Sequence, residues 1–559
     1  MTTRFNEEAG AKKIQELRKR EEEDLATILS EQFGLPYTDL SIVPVSAETL
    51  SLITEEAARA AHLAPFHLAG KTLSIGILTP NNPKIAEIID YVKQKGLVPK
   101  LYIVSKASLE AAWVRYKEVV AAEKSLEGLI EINQNKIDEI AQTINTTKDV
   151  INLIQRAAES GKLHTISTIV ETIVAGALRV DASDIHLEPE EHEVRVRFRL
   201  DGVLHAMTNL NHSAYKAIIS RIKLISGLKL NIRNQAQDGR FSIKAGKDEI
   251  EIRTSVLPGN FAETIVLRLL NPNSLAANME SLGMDKKLLS VIESEIKKPD
   301  GMFLNTGPTG SGKTTTLYSF LKQINVPGIK IITIENPIEY HLSGITQTQI
   351  NKDYSFLKGL RSTLRQDPDV IMVGEIRDTE TAKTAVHAAL TGHLVLSTLH
   401  TNNAAGTIPR LLDLGVEVKV LGDALNISMA QRLIRKLCAH CKKEYVPTDA
   451  ERNIIRKVAE TMPEEYKNAL PDINKIPLWK PGGCAECNHT GYRGRNGVFE
   501  AVLVDKEIQN AILANPSEHD IWNASKHQGI LRMKEHGILK IIEGLTDMEE
   551  LSRVVDLTE

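Results

Sequence analysis

Apolar runs and their spacing divide the 559-residue chain into stretches of different character. Near the N-terminus, Leu73-Ser74-Ile75-Gly76-Ile77-Leu78 predicts a strand, and Ile85–Val92 predicts a helix that stops near Gly96. Pro36, Pro44 and the cluster Thr79-Pro80-Asn81-Asn82-Pro83 mark turns in the same region. Residues 1–115 therefore read as a small α/β domain with a charged helical lead-in. Residues 116–160 contain no proline and are rich in Ala, Glu, Lys, Ile and Leu, which predicts a long linking helix. Beyond it, a helix over 165–178 precedes three runs with period-two alternation: Val194–Leu200, Ile250–Val256 and Thr264–Leu270. Asp201-Gly202 has the composition of a hairpin turn. Residues 161–272 thus form a second α/β domain. From 273 to 430 the pattern changes again. Apolar runs near 330–334, 370–373 and 394–396 alternate with helical stretches such as Thr379–Leu390, whose Ala382, Ala385, Val386 and Ala389 form one stripe. Asp378 can cap the start of that helix and Gly392 its end. This alternation predicts a parallel sheet. Residues 431–495 hold every cysteine, and 496–559 read as helices with a polar finish.

Composition narrows the class without identifying it. With 42% hydrophobic and 25% charged residues, the chain is an ordinary globular protein, long enough for several domains. Its net charge of −4 and 4% aromatics disfavour a nucleic-acid motor, which needs a basic channel and stacking rings. No direct nucleic-acid partner is expected. No apolar run is long enough to span a bilayer, and Met1–Arg20 carries no signal-peptide core. The expected location is cytoplasmic, with no transmembrane segment.

One motif is complete. Gly307-Pro308-Thr309-Gly310-Ser311-Gly312-Lys313-Thr314 matches G-x-x-x-x-G-K-[ST], between the apolar run Met302-Phe303-Leu304 and a helical run that starts at Thr315. Glycines allow backbone N–H groups to curl around an anion, and the helix N-terminus adds partial positive charge. Lys313 can reach the β/γ-phosphates of ATP, and the Thr314 hydroxyl can ligate Mg²⁺. Acidic groups follow two of the apolar strands: Glu335-Asn336-Pro337-Ile338-Glu339 and Gly374-Glu375-Ile376-Arg377-Asp378. In a parallel sheet both arrive on the phosphate side, where one organises Mg²⁺ and another orients water. Glu375 is the expected partner of Thr314 at the metal, and Asp378 reads as a helix cap. Gly374 stands where a usual Walker B strand has Asp. His393 and His400 bracket the next strand, and His400, at its C-terminal end, is the candidate γ-phosphate sensor. Arg240, Arg253 and Arg268 precede the P-loop in a separate domain and can close over the nucleotide as arginine fingers. Arg195, Arg197 and Arg199 alternate on one strand and read as a solvated face. Asn135-Lys136-Ile137-Asp138 spells a guanine-binding signature, but it lies upstream of the P-loop in a polar helix and is set aside.

The four cysteines lie in two knuckles, Cys438-Ala439-His440-Cys441 and Cys484-Ala485-Glu486-Cys487. Two C-x-x-C pairs holding every cysteine favour a structural zinc site over a redox pair. Residues 442–483 between them then form a stapled subdomain.

Together these residues resemble the secretion ATPase superfamily, and within it the assembly ATPases of type II secretion and type IV pili. Gly307–Thr314 is similar to its Walker A, Glu335–Glu339 to its Asp box with Asn336 where Asp is usual, and Leu364 through Asp378 to its atypical Walker B. Gly392–Asn402 is similar to its His box. Ala182-Ser183-Asp184-Ile185-His186 and Gln237–Arg240 resemble its preceding domain. The resemblance implies a RecA-like ATPase domain and a homohexameric ring with ATP between the two later domains, reached by Arg240, Arg253 and Arg268. It also implies a membrane platform protein as partner, at the inner membrane. The first domain resembles the adaptor domain of the family but lacks a clear Arg-Leu-Gly start, so cyclic-di-GMP binding is not predicted.

Overall fold

The structure is a computed structural model that describes residues 21–557, apart from 41–42, 44, 46, 51, 70–71, 117–138, 141–142, 145, 160–162, 246–247 and 271–277. The chain forms two compact units, 1–131 and 132–559. The middle of the linker stretch and the Asn135–Asp138 tetrapeptide lie outside the described residues.

In the first unit, β1 (Leu63–Ala69), β2 (Thr72–Ile77) and β3 (Val98–Ile103) make one sheet in that order. β1 is antiparallel and β3 parallel to β2. The helix Lys84–Gln94 makes the crossover, with Ile85, Ile88 and Val92 buried. Gly96, at φ 75°, lies just past the end of that helix, as its position in the sequence suggests.

The second unit contains two large sheets. The first has β4 (Asp184–Pro189), β5 (Val194–Leu200), β6 (Val203–Leu210), β7 (Gln237–Ala245), β8 (Asp248–Leu257) and β9 (Thr264–Leu270). Their order is β6-β5-β4-β9-β8-β7, with every neighbour antiparallel. Val194, Val196 and Phe198 of β5 are buried in one core with Ile173 and Ile222, which come from the helices Leu163–Arg179 and His212–Ile225. Asp201 (φ 47°) and Gly202 (φ 87°) form the two-residue turn between β5 and β6, with both residues in the left-handed region that such a turn requires. The arginine face of β5 differs from the solvated expectation. Arg195, Arg197 and Arg199 are paired with Glu190 (2.6 Å), Glu188 (2.6 Å) and Asp184 (3.2 Å).

The other sheet contains β10 (Gly301–Thr306), β11 (Ile331–Glu335), β12 (Thr346–Gln349), β13 (Val370–Val373), β14 (Leu394–Leu399) and β15 (Leu425–Leu437). A short pair, β16 (Lys443–Tyr445) and β17 (Leu478–Lys480), lies apart from it, and β18 (Tyr492–Leu503) completes it. The order is β12-β11-β13-β14-β10-β15-β18, parallel except for β18 against β15. Alternate residues of one strand enter opposite cores: Met302 and Leu304 one, Phe303 the other. The sheet is therefore covered on both faces, which explains its unbroken apolar strands. Two elements depart from the sequence reading. β18 makes the start of 496–559 a strand rather than helix, because its residues pair with β15 along most of their length. β12, with the sequence Thr346-Gln347-Thr348-Gln349, is an edge strand without an apolar pattern. Among the described residues, no helix is long and apolar enough to cross a membrane.

Candidate functional site

The phosphate loop joins β10 to the helix Lys313–Ile324, with Gly307, Gly310 and Gly312 at φ 146°, 80° and 88°. A Cβ on Gly307 would lie 2.5 Å from the Gln431 carbonyl, so the loop starts where only glycine fits. Pro308, Thr309 and Gly310 are exposed, as is Thr314 in the first helical turn, while Ser311 is buried. The Lys313 ammonium donates to the carbonyls of Gly307 (2.7 Å) and Pro308 (3.0 Å). Burial pulls Lys313 down to about 8; Glu375 opposes the shift and Arg432 adds to it.

Glu375 follows β13 and His400 follows β14, adjacent strands, so both reach the P-loop end of the sheet. The Glu375 carboxylate lies 2.5 Å from Arg377 Nε and 3.7 Å from His400 Nε2. Burial and the nearby Lys313 charge hold the His400 imidazole below its usual range, against the opposing pull of Glu375. Gly374 also has a physical reason. Its N–H donates to the Ile334 carbonyl (2.8 Å), and a Cβ there would lie 3.2 Å from that same oxygen. An aspartate side chain would press on β11. Thr306 Oγ1, at the end of β10, accepts from the Thr401 N–H (2.8 Å) and so ties the residue after His400 to the P-loop strand.

Glu335 is placed differently from expectation. It is buried at the end of β11, and its oxygens accept from Thr333 Oγ1 (2.6 Å), Gln347 Nε2 (3.1 Å) and the Tyr318 hydroxyl. Tyr318 belongs to the P-loop helix, so Glu335 braces that helix instead of presenting a free carboxylate. His393 Nδ1 lies 3.0 Å from the Ala388 carbonyl and closes the end of the helix Thr379–Leu390, a structural role. Asp378 caps the start of that helix through the Thr381 N–H (2.9 Å).

The structure does not bring Arg240, Arg253 and Arg268 to the phosphate loop. Cross-strand register places them side by side on β7, β8 and β9, continuing to Asp184 and Arg199 on β4 and β5. Arg253 leaves this rank toward the Asp box, donating to Glu339 (3.1 Å) and to the Ile338 carbonyl (2.6 Å). Arg240 and Arg268 are 74% and 58% exposed. Asp184 accepts from Arg268 Nε (3.0 Å) and pairs with Arg199 (3.2 Å).

Cys438, Cys441, Cys484 and Cys487 converge, with their sulfurs all within 4.8 Å of one another. Measured edges are 3.8 Å for Cys438–Cys484 and 3.7 Å for both Cys441–Cys487 and Cys484–Cys487. Zinc–sulfur bonds of about 2.3 Å in a tetrahedron imply edges of about 3.8 Å, so the donor set fits zinc. The N–H groups of Cys484 (3.4 Å) and Gly491 (3.3 Å) point at Cys487 Sγ, as a thiolate ligand requires. The knuckles flank the antiparallel pair, Cys438 just after β15 and Cys487 shortly before β18.

Sequence reading missed Gln431 and Arg432. Gln431 Oε1 accepts from Asn305 (3.1 Å) and from Thr316 in the P-loop helix (2.9 Å). Arg432 spans from the Gln431 carbonyl (3.1 Å) to that of Asn402 (2.7 Å). β15 mixes polar and apolar residues throughout, so nothing local singled out these two.

A model of the family described as "Type II/IV secretion system protein" matches residues 117–553, and an MshEN domain model matches 33–122. The chain is 37% identical to the type IV pilus assembly ATPase PilB of Myxococcus xanthus, over 95% of this chain and 91% of that protein. It is 43% identical to type II secretion system protein E of Pseudomonas aeruginosa, over 70% of this chain and 75% of that protein. The solved structure of the Legionella pneumophila ATPase DotB shares the fold, with TM-score 0.50 at 20% identity, covering 69% of this chain and 95% of that one. The chain belongs to the type II/IV secretion system family of ATPases.

Proposed function

We propose that this chain is a motor that hydrolyses ATP with Mg²⁺ and, as a homohexamer at the cytoplasmic side of an inner-membrane platform protein, powers type IV pilus assembly or type II secretion. The observation that carries this reading is the convergence of Lys313, Glu375 and His400 at one end of the parallel sheet, with 3.7 Å between the last two. Relatives named for pilus assembly and for type II secretion, similar over most of the chain, supply the direction of work. In this reading the loop amides and Lys313 hold the phosphates, and Glu375 orients the attacking water. His400, beside Glu375, senses the γ-phosphate, and Glu335 keeps the P-loop helix in place through Tyr318. The Thr314 hydroxyl and Glu375 offer the hard oxygen donors that suit Mg²⁺, which when bound neutralises phosphate charge. Arg240, Arg253 and Arg268 complete the site when the domains or neighbouring subunits close, and the four cysteines hold one structural Zn²⁺.

The test has two levels. Purified chain should release phosphate from ATP in the presence of Mg²⁺, and Lys313→Ala should abolish this. Cells lacking the chain should lose surface pili or secreted cargo; cells that gain filaments instead would refute the assembly reading.

A further inference from the structure

Arg432 is a half-buried cation that the reaction as described does not use. It projects from β15, next to Gln431 in the strand that flanks β10. One guanidinium nitrogen donates to the Gln431 carbonyl (3.1 Å) and lies 3.2 Å from the site of a Cβ on Gly307, the first residue of the phosphate loop. The other donates to the Asn402 carbonyl (2.7 Å), two residues after His400. The far side of that second loop is held by Glu500, whose carboxyl is buried in β18 and accepts from the N–H groups of Ala404 (2.9 Å) and Met533 (2.9 Å). Met533 begins the helix Met533–Ile542, so one carboxyl joins the loop after His400 to the C-terminal helices.

Placing this second cation near Lys313 is unfavourable for the protein alone. Burial lowers the Arg432 pKa, and its charge lowers that of Lys313. A polyphosphate held by Lys313 offsets this repulsion, because its negative charge stands near both cations. The planar fork is equally specific. It makes two bonds to carbonyls on different segments, which a lysine ammonium cannot reproduce with the same rigidity.

We propose that Arg432 is a positioning residue for ATP hydrolysis. Its fork ties β15, at the point where the Gln431 carbonyl lies against Gly307, to the loop that carries His400, and Glu500 anchors that second loop. The inference rests on the reading of His400 as the γ-phosphate sensor.

The test uses the full chain and steady-state ATP hydrolysis of R432Q, R432K, H400A and the double variant H400A/R432Q, with melting curves to confirm folding. R432Q should lower kcat roughly tenfold or more while KM for ATP changes less than about threefold. R432K keeps the charge but loses the fork, so it should fall with R432Q. In the H400A background, R432Q should cost little further, because both changes disable one loop. Wild-type kcat in R432K, or the same loss from R432Q in both backgrounds, overturns the proposal. H400A turning over at the wild-type rate instead overturns the role of His400 itself. If R432Q fails to fold, the rate of R432K decides.

Discussion

In the seven-stranded sheet every residue of β10 and β14 is buried, whereas in the six-stranded sheet β5 alternates buried apolar residues with half-buried arginines. The difference governs where each sheet can do chemistry. A sheet covered on both faces has only its strand ends open, so Glu375 and His400 sit just past a strand, and Lys313 opens the helix that follows the loop beyond β10. A sheet covered on one face offers a whole surface, so Arg240, Arg253 and Arg268 line up across three strands. The first arrangement fixes side chains through backbone geometry. The second presents charge on long side chains, paired with Asp184, Glu251 and Glu339.

The largest effect should come from the strand ends. Glu375→Gln should retain nucleotide binding and lose roughly 10²- to 10³-fold in kcat. Glu335→Gln should act mainly on stability, since Glu335 is buried and already bonded. Equal losses of kcat without a change in melting temperature would erase the distinction between the two acids. Removing the staple on the antiparallel edge of the same sheet comes next. Cys484→Ser should lower the melting temperature and leave less than stoichiometric zinc by metal analysis; a stable variant with unchanged zinc would remove Cys484 from the ligand set, and no stoichiometric zinc in the reduced parent protein would remove the metal. On the arginine face, Arg268→Ala and Arg240→Ala should each slow hydrolysis with melting unchanged. Hydrolysis unaffected by either would leave that face without a part in the reaction.

The smallest effect is a pH dependence confined to the strand ends. Burial holds Lys313 at about 8 in the free chain. Below that value the ammonium is charged and attracts phosphate; above it the charge is lost. ATP affinity should therefore weaken by up to about tenfold per pH unit above pH 8, as expected for one linked proton. A binding titration from pH 7 to 9 checks this, and Lys313→Arg, whose guanidinium stays charged, should flatten the profile.

The sequence alone determined the phosphate loop, the positions of Glu375 and His400, the cysteine knuckles, three strands of the six-stranded sheet and four of the seven-stranded one, because each depends on neighbours within a few residues. Glycines at φ 80° and 88° are readable from spacing, and so is the turn at Asp201-Gly202. Alternation of period two at Val194–Leu200 and unbroken apolar runs at 370–373 separate a half-covered sheet from a fully covered one. Only the tertiary structure decided what depends on register and distant partners. No local pattern shows that Arg240, Arg253 and Arg268 share one rank, since three strands must first pair. None shows that Glu335 is consumed by Tyr318 and Gln347, or that Gly374 is glycine because a carbonyl of β11 lies against it. β12 carries no apolar signal because it is an edge. Arg432 and Glu500 lie far from the P-loop in sequence, and they matter through contacts that exist only once β15 and β18 have joined the sheet.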